Sequence, residues 1–187
     1  MTIKTVVFDI GGVLLENPFI GEFWKDKPGS KELRDKFGAG KMSEKEFIEK
    51  ASKMLQIPKD RFIEEYGKAY FPIRKIELVF NLYKNLKSKK ALFSDTNPLH
   101  LEFIKKRYPE MFKLADELFM SSETGSRKNQ DKSYRHLIKI LNIKPGEILL
   151  VDDKKEILDL AKKHGIATIL YENPSQLLKE LKKLDIR

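Results

Sequence analysis

Four polar stretches of the sequence carry the side chains that could do chemistry, and each one ends or follows a short apolar run. They are Asp9, Ser94 with Asp95, Arg127 with Lys128, and Asp152 with Asp153. Adjacent acids repel one another, so the placement of Asp152 and Asp153 at the end of an apolar run favours a bound cation. Together with Asp9 on a neighbouring strand, Asp152 could hold one Mg²⁺ from two sides, with waters and a substrate oxygen as further ligands.

The elements that must position these side chains are short apolar runs rich in Val, Ile, Leu and Phe. They do not alternate with polar residues, which is typical of strands covered on both faces of a parallel sheet. The predicted strands are 5–10, 91–95, 117–121, 147–151 and 167–170, and the predicted helices are 98–108, 132–141, 155–165 and 174–184. This alternation predicts an α/β fold with a doubly wound parallel sheet, whose ligands bind at the carboxyl ends of the strands.

One segment, residues 17–86, interrupts the alternation with helical periods and no convincing strand. Its stretch "SEKEFIEKASKML" begins with Ser43 and Glu46 at the spacing of a helix capping box. We therefore predict a small all-helical cap at 17–86, inserted after the first strand of a core domain made of residues 1–16 and 87–187.

The composition narrows the class of protein. The chain has 187 residues with 37 Lys and Arg against 28 Asp and Glu, a formal charge of +9, and no cysteine, which excludes disulfides and thiol nucleophiles. Lysines and glutamates are mixed along helical faces, and no basic run is interleaved with aromatics, so we expect no nucleic-acid partner. No apolar run approaches the roughly 20 residues of a membrane span, and no signal sequence precedes the first strand, so we expect a cytoplasmic protein without a membrane partner. Nothing in the sequence indicates the oligomeric state.

The segments "VVFDIGGVL", "LFSDTN", Lys128 and "LLVDDKKEI" resemble, in order and spacing, the four motifs of the haloacid dehalogenase-like hydrolase superfamily. Within it, the chain looks most like sugar-phosphate phosphatases with a small helical cap, of the alpha-glucose-1-phosphatase type. The resemblance implies a Rossmann-like core and a small phosphorylated substrate hydrolysed with Mg²⁺ through an aspartyl-phosphate intermediate.

The resemblance also implies a role for each motif residue. Asp9 would be the nucleophile, Ser94 would bind a phosphoryl oxygen, and Lys128 would neutralise charge on Asp9 and the phosphate. The implied catalytic residues are Asp9, Ser94 and Lys128, the implied metal ligands are Asp9, Gly11 through its carbonyl, Asp152 and Asp153, and the implied substrate-binding residues are Gly12, Ser94, Asp95 and Lys128. The two glycines after Asp9 let a phosphate, or the chain itself, pass close to the strand end.

Gly11 is the main departure from the resemblance. Most phosphatases of this superfamily have an aspartate there that protonates the leaving oxygen, a contribution of about 10²- to 10⁴-fold. Asp95 and Glu16 are candidates for a replacement acid. Asp95 also stands where asparagine is more usual, and its charge would oppose a phosphate unless it is paired, for which Arg127 is the candidate.

Two alternative functions stay open from the sequence. A weakly active or inactive scaffold that binds a phosphorylated ligand or a protein partner would fit Gly11 and Asp95. A 2-haloacid dehalogenase is disfavoured, since such enzymes carry an aromatic residue at the position of Gly11 and need no paired metal acids. We expect the cap to set specificity with residues that include Phe19, Phe23, Trp24 and Lys25, and we interpret His100, His136 and His164 as structural or exposed.

Overall fold

The computed structural model describes residues 2–17, 21–24, 27–70 and 73–186. Two of the expected cap residues, Phe19 and Lys25, lie outside these ranges. Within the described ranges, no helix combines the length and the apolar character needed to cross a bilayer.

A five-stranded, all-parallel sheet forms the centre of the molecule, which confirms the predicted α/β class. Its strands are β1 (Thr5–Phe8), β2 (Lys89–Ser94), β3 (Glu117–Met120), β4 (Ile148–Asp152) and β5 (Ala167–Leu170). They lie in the order β3-β2-β1-β4-β5. The chain therefore builds outward from β1 on one side and then returns to the other side of β1, and a crevice for ligands opens where the direction reverses.

Strand β1 ends two residues before the predicted limit at residue 10, for a local reason. The amide of Ile10 donates to the carboxylate of Asp9 at 2.7 Å instead of continuing the ladder. The chain then turns, and Leu15 forms an isolated bridge with Lys75. The strand end is thus also the point at which the inserted segment leaves the sheet.

Helices cover both faces of the sheet and form the inserted segment. They are α1 (Gly21–Trp24), α2 (Ser30–Gly38), α3 (Glu44–Leu55), α4 (Lys59–Tyr70), α5 (Glu77–Asn85), α6 (Pro98–Arg107), α7 (Pro109–Lys113), α8 (Ser121–Thr124), α9 (Asp131–Leu141), α10 (Lys155–Lys163) and α11 (Pro174–Lys183). The Ser43 half of the predicted capping box is present, with the hydroxyl of Ser43 accepting from the amide of Glu46 at 3.2 Å, while the carboxylate of Glu46 accepts from Lys50. Two hydrophobic clusters fill the two faces of the sheet because β1 sends Val6 and Phe8 to one face and Val7 to the other.

The inserted helices have an apolar centre of their own. Helices α1 to α4 bury Trp24, Phe37, Phe47 and Phe62 against one another, and the rings of Phe37 and Phe47 stack at 4.0 Å. Trp24 is thus part of the packing inside the cap. Because a separate cluster needs no side chains from the sheet, it supports a separately packed helical unit.

The boundary at residue 86 stays a prediction, as does the division of the chain into 1–16 with 87–187 and 17–86. Helix α5 packs its buried residues Val79, Phe80 and Tyr83 into the cluster on the sheet and not into that of the cap. The hydroxyl of Tyr83 also donates to the carbonyl of Met111 at 2.8 Å. This packing favours a cap that ends before α5.

Candidate active site

Parallel pairing brings the carboxylates of Asp9 and Asp152 to one edge of the sheet. Phe8 is level with Val151, so Asp9 follows β1 beside Asp152, the last residue of β4. The amide of Asp9 donates to the carbonyl of Val151 at 3.0 Å, which extends the pairing by one residue. The register of buried backbone therefore fixes the separation of the two acids.

Lys128 lies between these two carboxylates and is almost completely buried, with 2% of its surface exposed. Its Nζ atom is 2.6 Å from Oδ2 of Asp9 and 2.6 Å from Oδ2 of Asp152. Burial alone would lower the pKa of Lys128, but the charges of Asp9 and Asp152 raise it above its usual range. The lysine therefore stays charged and neutralises part of the negative charge at the strand ends.

The carboxylate of Asp152 is fully buried and held from two directions. Its Oδ1 accepts from the amide of Lys154 at 2.9 Å, and its Oδ2 accepts from Lys128. Burial raises the pKa of Asp152 to about 6, while Lys128 opposes that rise and Asp9 adds to it. Two acids share one lysine, so negative charge is left over, and a divalent cation would neutralise it.

Asp153 completes a cluster that could hold a metal ion. One carboxylate oxygen each from Asp9, Asp152 and Asp153 lie within 4.8 Å of one another. Oδ1 of Asp153 is buried, yet it has no hydrogen-bond partner among the described residues. All three ligands are hard oxygen donors of the kind that Mg²⁺ prefers, and an unsatisfied buried oxygen is what a cation would pair with. The residues therefore fit a divalent metal, and the contribution of the Gly11 carbonyl stays a prediction.

The two glycines after Asp9 differ in their backbone geometry. Gly12 has a φ of 82°, a left-handed conformation that favours glycine, and a Cβ there would overlap the carboxylate of Asp153. Gly11 lies outside the left-handed region, and a Cβ there would lie 3.0 Å from Oδ1 of Asn17. In this structure the close approach at the glycines is made by the chain's own Asp153 and Asn17.

Asp95 is paired with Arg127, the candidate partner that the sequence offered. Its Oδ2 accepts from Nε of Arg127 at 3.2 Å, and its Oδ1 accepts from the amide of Lys128 at 2.9 Å. The same guanidinium forms an ion pair with Asp35 of the cap helix α2. Asp95 therefore orients the segment that carries Lys128, and Arg127 links the core to the cap.

Two further hydrogen bonds attach the cap to the strand ends. The hydroxyl of Ser121, at the start of α8, donates to the carbonyl of Gly38 at 2.7 Å, and the amide side chain of Asn97 donates to the hydroxyl of Tyr66 at 2.9 Å. These contacts hold the carboxyl end of α2 and one face of α4 over the edge of the sheet. They place cap residues opposite Asp9.

A cavity of about 290 Å³ opens between the strand ends and α2. Of the predicted site residues, those that line it are Asp9, Gly11, Ser94, Asp95 and Lys128. The cap side is lined by Arg34, Asp35 and Gly38. The sequence-based candidate acid Glu16 is exposed and is not among the described residues that line the cavity. The volume suits a ligand of metabolite size.

Sequence reasoning missed Arg34, which lies on the cap side of the cavity. Its Nε donates to the carbonyl of Ser30 at 3.3 Å, and its guanidinium lies 5.4 Å from the ring centroid of Trp24. Stacking on a buried ring restricts the motion of a guanidinium. Its terminal NH₂ groups are further hydrogen-bond donors beside Nε. The sequence places Arg34 about one turn after the start of α2, but this position alone does not reveal which way the side chain points.

His100, which the sequence-based interpretation took as structural or exposed without placing it at the site, lines the cavity. Its Nδ1 lies 3.4 Å from Oγ1 of Thr96, and burial lowers the pKa of the imidazole to about 4. His100 is therefore neutral near pH 7. His136 and His164 lie elsewhere, His136 against the ring of Phe119 and His164 beside Asp131, at 2.8 Å.

The family model of haloacid dehalogenase-like hydrolases matches residues 3–165. The chain belongs to this family. Residues from the motifs that suggested it meet at the strand ends, where Lys128 contacts both Asp9 and Asp152 and Ser94 lines the same cavity.

Phosphatases are among the curated relatives of this haloacid dehalogenase-like hydrolase. It is 26% identical to the D-ribitol-5-phosphate phosphatase of Bacteroides thetaiotaomicron, over 96% of this chain and 97% of that protein. It is 25% identical to the sesquiterpene phosphatase astK of Aspergillus oryzae, over 98% and 97%. A solved haloacid dehalogenase family enzyme from Bacteroides thetaiotaomicron, in complex with magnesium and inorganic phosphate, has the same fold, with a TM-score of 0.76, 19% identity, and 91% of this chain and 95% of that chain covered.

Proposed function

We propose that this hydrolase is a Mg²⁺-dependent phosphomonoesterase that acts on a small phosphorylated metabolite through an aspartyl-phosphate intermediate. The observation that carries the proposal is the position of Lys128, 2.6 Å from both Asp9 and Asp152 at the floor of the cavity. A fixed positive charge between a nucleophilic carboxylate and a metal-binding carboxylate suits the transfer of a dianionic phosphoryl group.

In this proposal, Asp9 attacks the phosphorus atom in line with the departing alcohol. The phosphorus–alcohol oxygen bond breaks as the aspartyl bond forms, and the alcohol oxygen takes up a proton from solvent water. Water then attacks the aspartyl-phosphate and restores Asp9 with release of inorganic phosphate. Lys128 holds Asp9 in place and neutralises phosphoryl charge, and Ser94 donates to a phosphoryl oxygen.

Asp9, Asp152 and Asp153 would hold the Mg²⁺, which neutralises phosphoryl oxygens and aligns the phosphorus with the attacking group. The unsatisfied buried oxygen of Asp153 supports this assignment. The all-carboxylate cluster supports a hard divalent cation over a soft one.

The walls of the cavity support a polyhydroxylated alcohol as the leaving part of the substrate. Asn97 and His100 on the core side, and Arg34 and Asp35 on the cap side, offer donors and acceptors of the kind that sugar hydroxyls use. The relative that acts on D-ribitol-5-phosphate has such a substrate. We therefore propose sugar and polyol phosphates as the substrate class.

A second candidate is a scaffold that binds a phosphorylated ligand with little turnover. The observation that favours it is Gly11, which offers no side chain for proton transfer to the leaving group. The two candidates share the phosphate site and differ in whether inorganic phosphate is released.

A phosphatase assay over a panel of sugar, polyol and aryl phosphates, with Mg²⁺ or with a chelator, separates them. We expect phosphate release only with Mg²⁺ and a loss of more than about 10⁴-fold in Asp9→Asn, since removal of a nucleophile costs losses of this order. Binding of phosphate esters without release would favour the scaffold. Undiminished turnover by Asp9→Asn would exclude the covalent route.

A further inference from the structure

Asn17 makes a contact that the four family motifs do not include. Its Nδ2 atom donates to Oδ2 of Asp153 at 3.2 Å, across 136 positions of sequence. The other oxygen of that carboxylate, Oδ1, is buried and has no hydrogen-bond partner in the described part of the chain. The amide therefore holds one oxygen of Asp153 and leaves the other directed to a different partner.

The glycines beside Asp9 make this contact possible. A Cβ at Gly12 would overlap the carboxylate of Asp153 and would lie 2.8 Å from Nδ2 of Asn17. A Cβ at Gly11 would lie 3.0 Å from Oδ1 of the same asparagine. The side chain of Asn17 thus occupies the space directly beside Gly11, where any side chain at position 11 would begin.

We infer that Asn17 is a positioning residue for the metal site, and that Gly11 and Asn17 act as a pair. The amide fixes the rotation of the Asp153 carboxylate, so that Oδ1 is presented to the cation together with the carboxylates of Asp9 and Asp152. Gly11 leaves the space that the amide needs. This role rests on the proposed Mg²⁺ site and adds a residue from the segment that follows β1.

A residue that hydrogen-bonds to a metal-binding side chain affects metal affinity, because it fixes the orientation of that side chain before the ion binds. Loss of the amide in Asn17→Ala frees the carboxylate of Asp153 to rotate. We expect the dissociation constant for Mg²⁺ to rise by about 10- to 100-fold. The lost affinity is recoverable, so activity of Asn17→Ala should approach that of the wild type when Mg²⁺ is raised in proportion.

Titration calorimetry with Mg²⁺ alone measures this effect without reference to activity. Asn85→Ala is the matched control, because the amide of Asn85 is exposed and donates to the carbonyl of Asn81 within its own helix, at 2.9 Å. We expect Asn85→Ala to keep the wild-type dissociation constant. Because Asn17 is exposed, its variant should keep the wild-type melting temperature in the absence of metal.

A double-mutant cycle tests the pairing with Gly11. In the wild-type background, Gly11→Ala places its Cβ against Oδ1 of Asn17, displaces the amide, and should weaken Mg²⁺ binding about 3- to 10-fold. In the Asn17→Ala background the obstruction is gone, so Gly11→Ala should add nothing. Equal losses in both backgrounds would overturn the pairing.

The outcomes separate this inference from the function on which it rests. Absence of Mg²⁺ binding by the wild-type protein would overturn the proposed function and the role of Asn17 with it. Mg²⁺ binding by the wild type with an unchanged dissociation constant in Asn17→Ala would overturn the role of Asn17 alone. A higher dissociation constant with an unchanged melting temperature supports it.

Discussion

The floor of the cavity and its cap side are built from the same kinds of charged residues in different surroundings. On the floor, Lys128 binds two carboxylates with side chains that are at most 5% exposed. On the cap side, Arg127 joins Asp35 and Asp95 with its own side chain 27% exposed and that of Asp35 41% exposed. Removal of one partner from a buried pair is costly, whereas solvent weakens an exposed pair.

This difference indicates that the floor of the cavity is held more rigidly than its cap side. The floor residues belong to strand ends and to the segment that Asp95 holds, and buried backbone sets their positions. The cap side depends on a few polar contacts between helix α2 and the core. We therefore expect changes on the floor to affect stability and chemistry, and changes on the cap side to affect substrate affinity.

The largest expected effect is that of Lys128→Met. It leaves Asp9 and Asp152 buried at the strand ends without their shared cation, so the free energy of unfolding should fall by about 3–5 kcal/mol. Urea denaturation in chelator measures this change. Lys68→Met is the control, since Lys68 pairs with Glu64 and Glu65 on the exposed face of α4, and solvent screening should leave the free energy of unfolding almost unchanged. Similar losses in the two variants would remove the distinction between floor and surface.

His100 lines the cavity between its floor and its cap side. The pH dependence of stability shows whether its imidazole is buried like the floor residues or solvated like the cap-side residues. Burial lowers its pKa from an ordinary 6.5 to about 4 in the folded protein. The unfolded chain therefore binds a proton that the folded one does not, and stability should be lost as the pH falls from 6.5 towards 4. Between pH 6.5 and 5 we expect a loss of about 1–2 kcal/mol that depends on this group.

His100→Gln should remove that part of the pH dependence, measured as the difference in unfolding free energy from the wild type at each pH. His136→Gln, outside the cavity, is the matched control for loss of an imidazole. If the unfolding free energies of the wild type and His100→Gln changed in parallel with pH, the imidazole of His100 would be solvated in the folded protein, as the cap-side groups are.

The smallest expected effect is that of Asp35→Ala on the cap side. It removes the cap end of the link through Arg127 and leaves the contact of Arg127 with Asp95 intact. An exposed pair contributes up to about 1 kcal/mol, so KM should rise by about fivefold or less while kcat stays within about twofold. Glu32→Ala, which breaks the pair with Lys36 on the same helix, should change neither value. A lower kcat with an unchanged KM would place Asp35 with the floor.

The sequence was sufficient to predict the sheet and the acids at its edge. Runs of Val, Ile and Leu without alternation have few alternatives to a covered parallel strand, and the carboxyl ends of such strands must meet. Asp9 and Asp152 could therefore be placed side by side from the sequence alone. Arg127 could be named as the candidate partner of Asp95, because an unpaired acid at that position would oppose a phosphate.

The cap side could not be predicted in the same way. A helical period shows which face of α2 is apolar, but the direction of Arg34 and Asp35 depends on how the whole helix rests on the core. The place of His100 at the cavity could not be predicted for a related reason, since the cavity walls also come from residues distant in sequence. Asn17 gave no signal, because its partner Asp153 is 136 positions away.

Gly11 also has a consequence for the selection of substrates. In the proposed reaction, with no carboxylic acid at this position, the departing oxygen would carry more negative charge as its bond to phosphorus breaks, and the rate would fall steeply as the basicity of the alcohol increases. The Brønsted slope against leaving-group pKa should then be steep. Anomeric phosphates, whose hydroxyls are the most acidic in a sugar, would turn over ahead of primary alkyl phosphates that fill the same cavity. The absence of a side chain at Gly11 would thus make the enzyme select among metabolites by the basicity of the leaving-group oxygen.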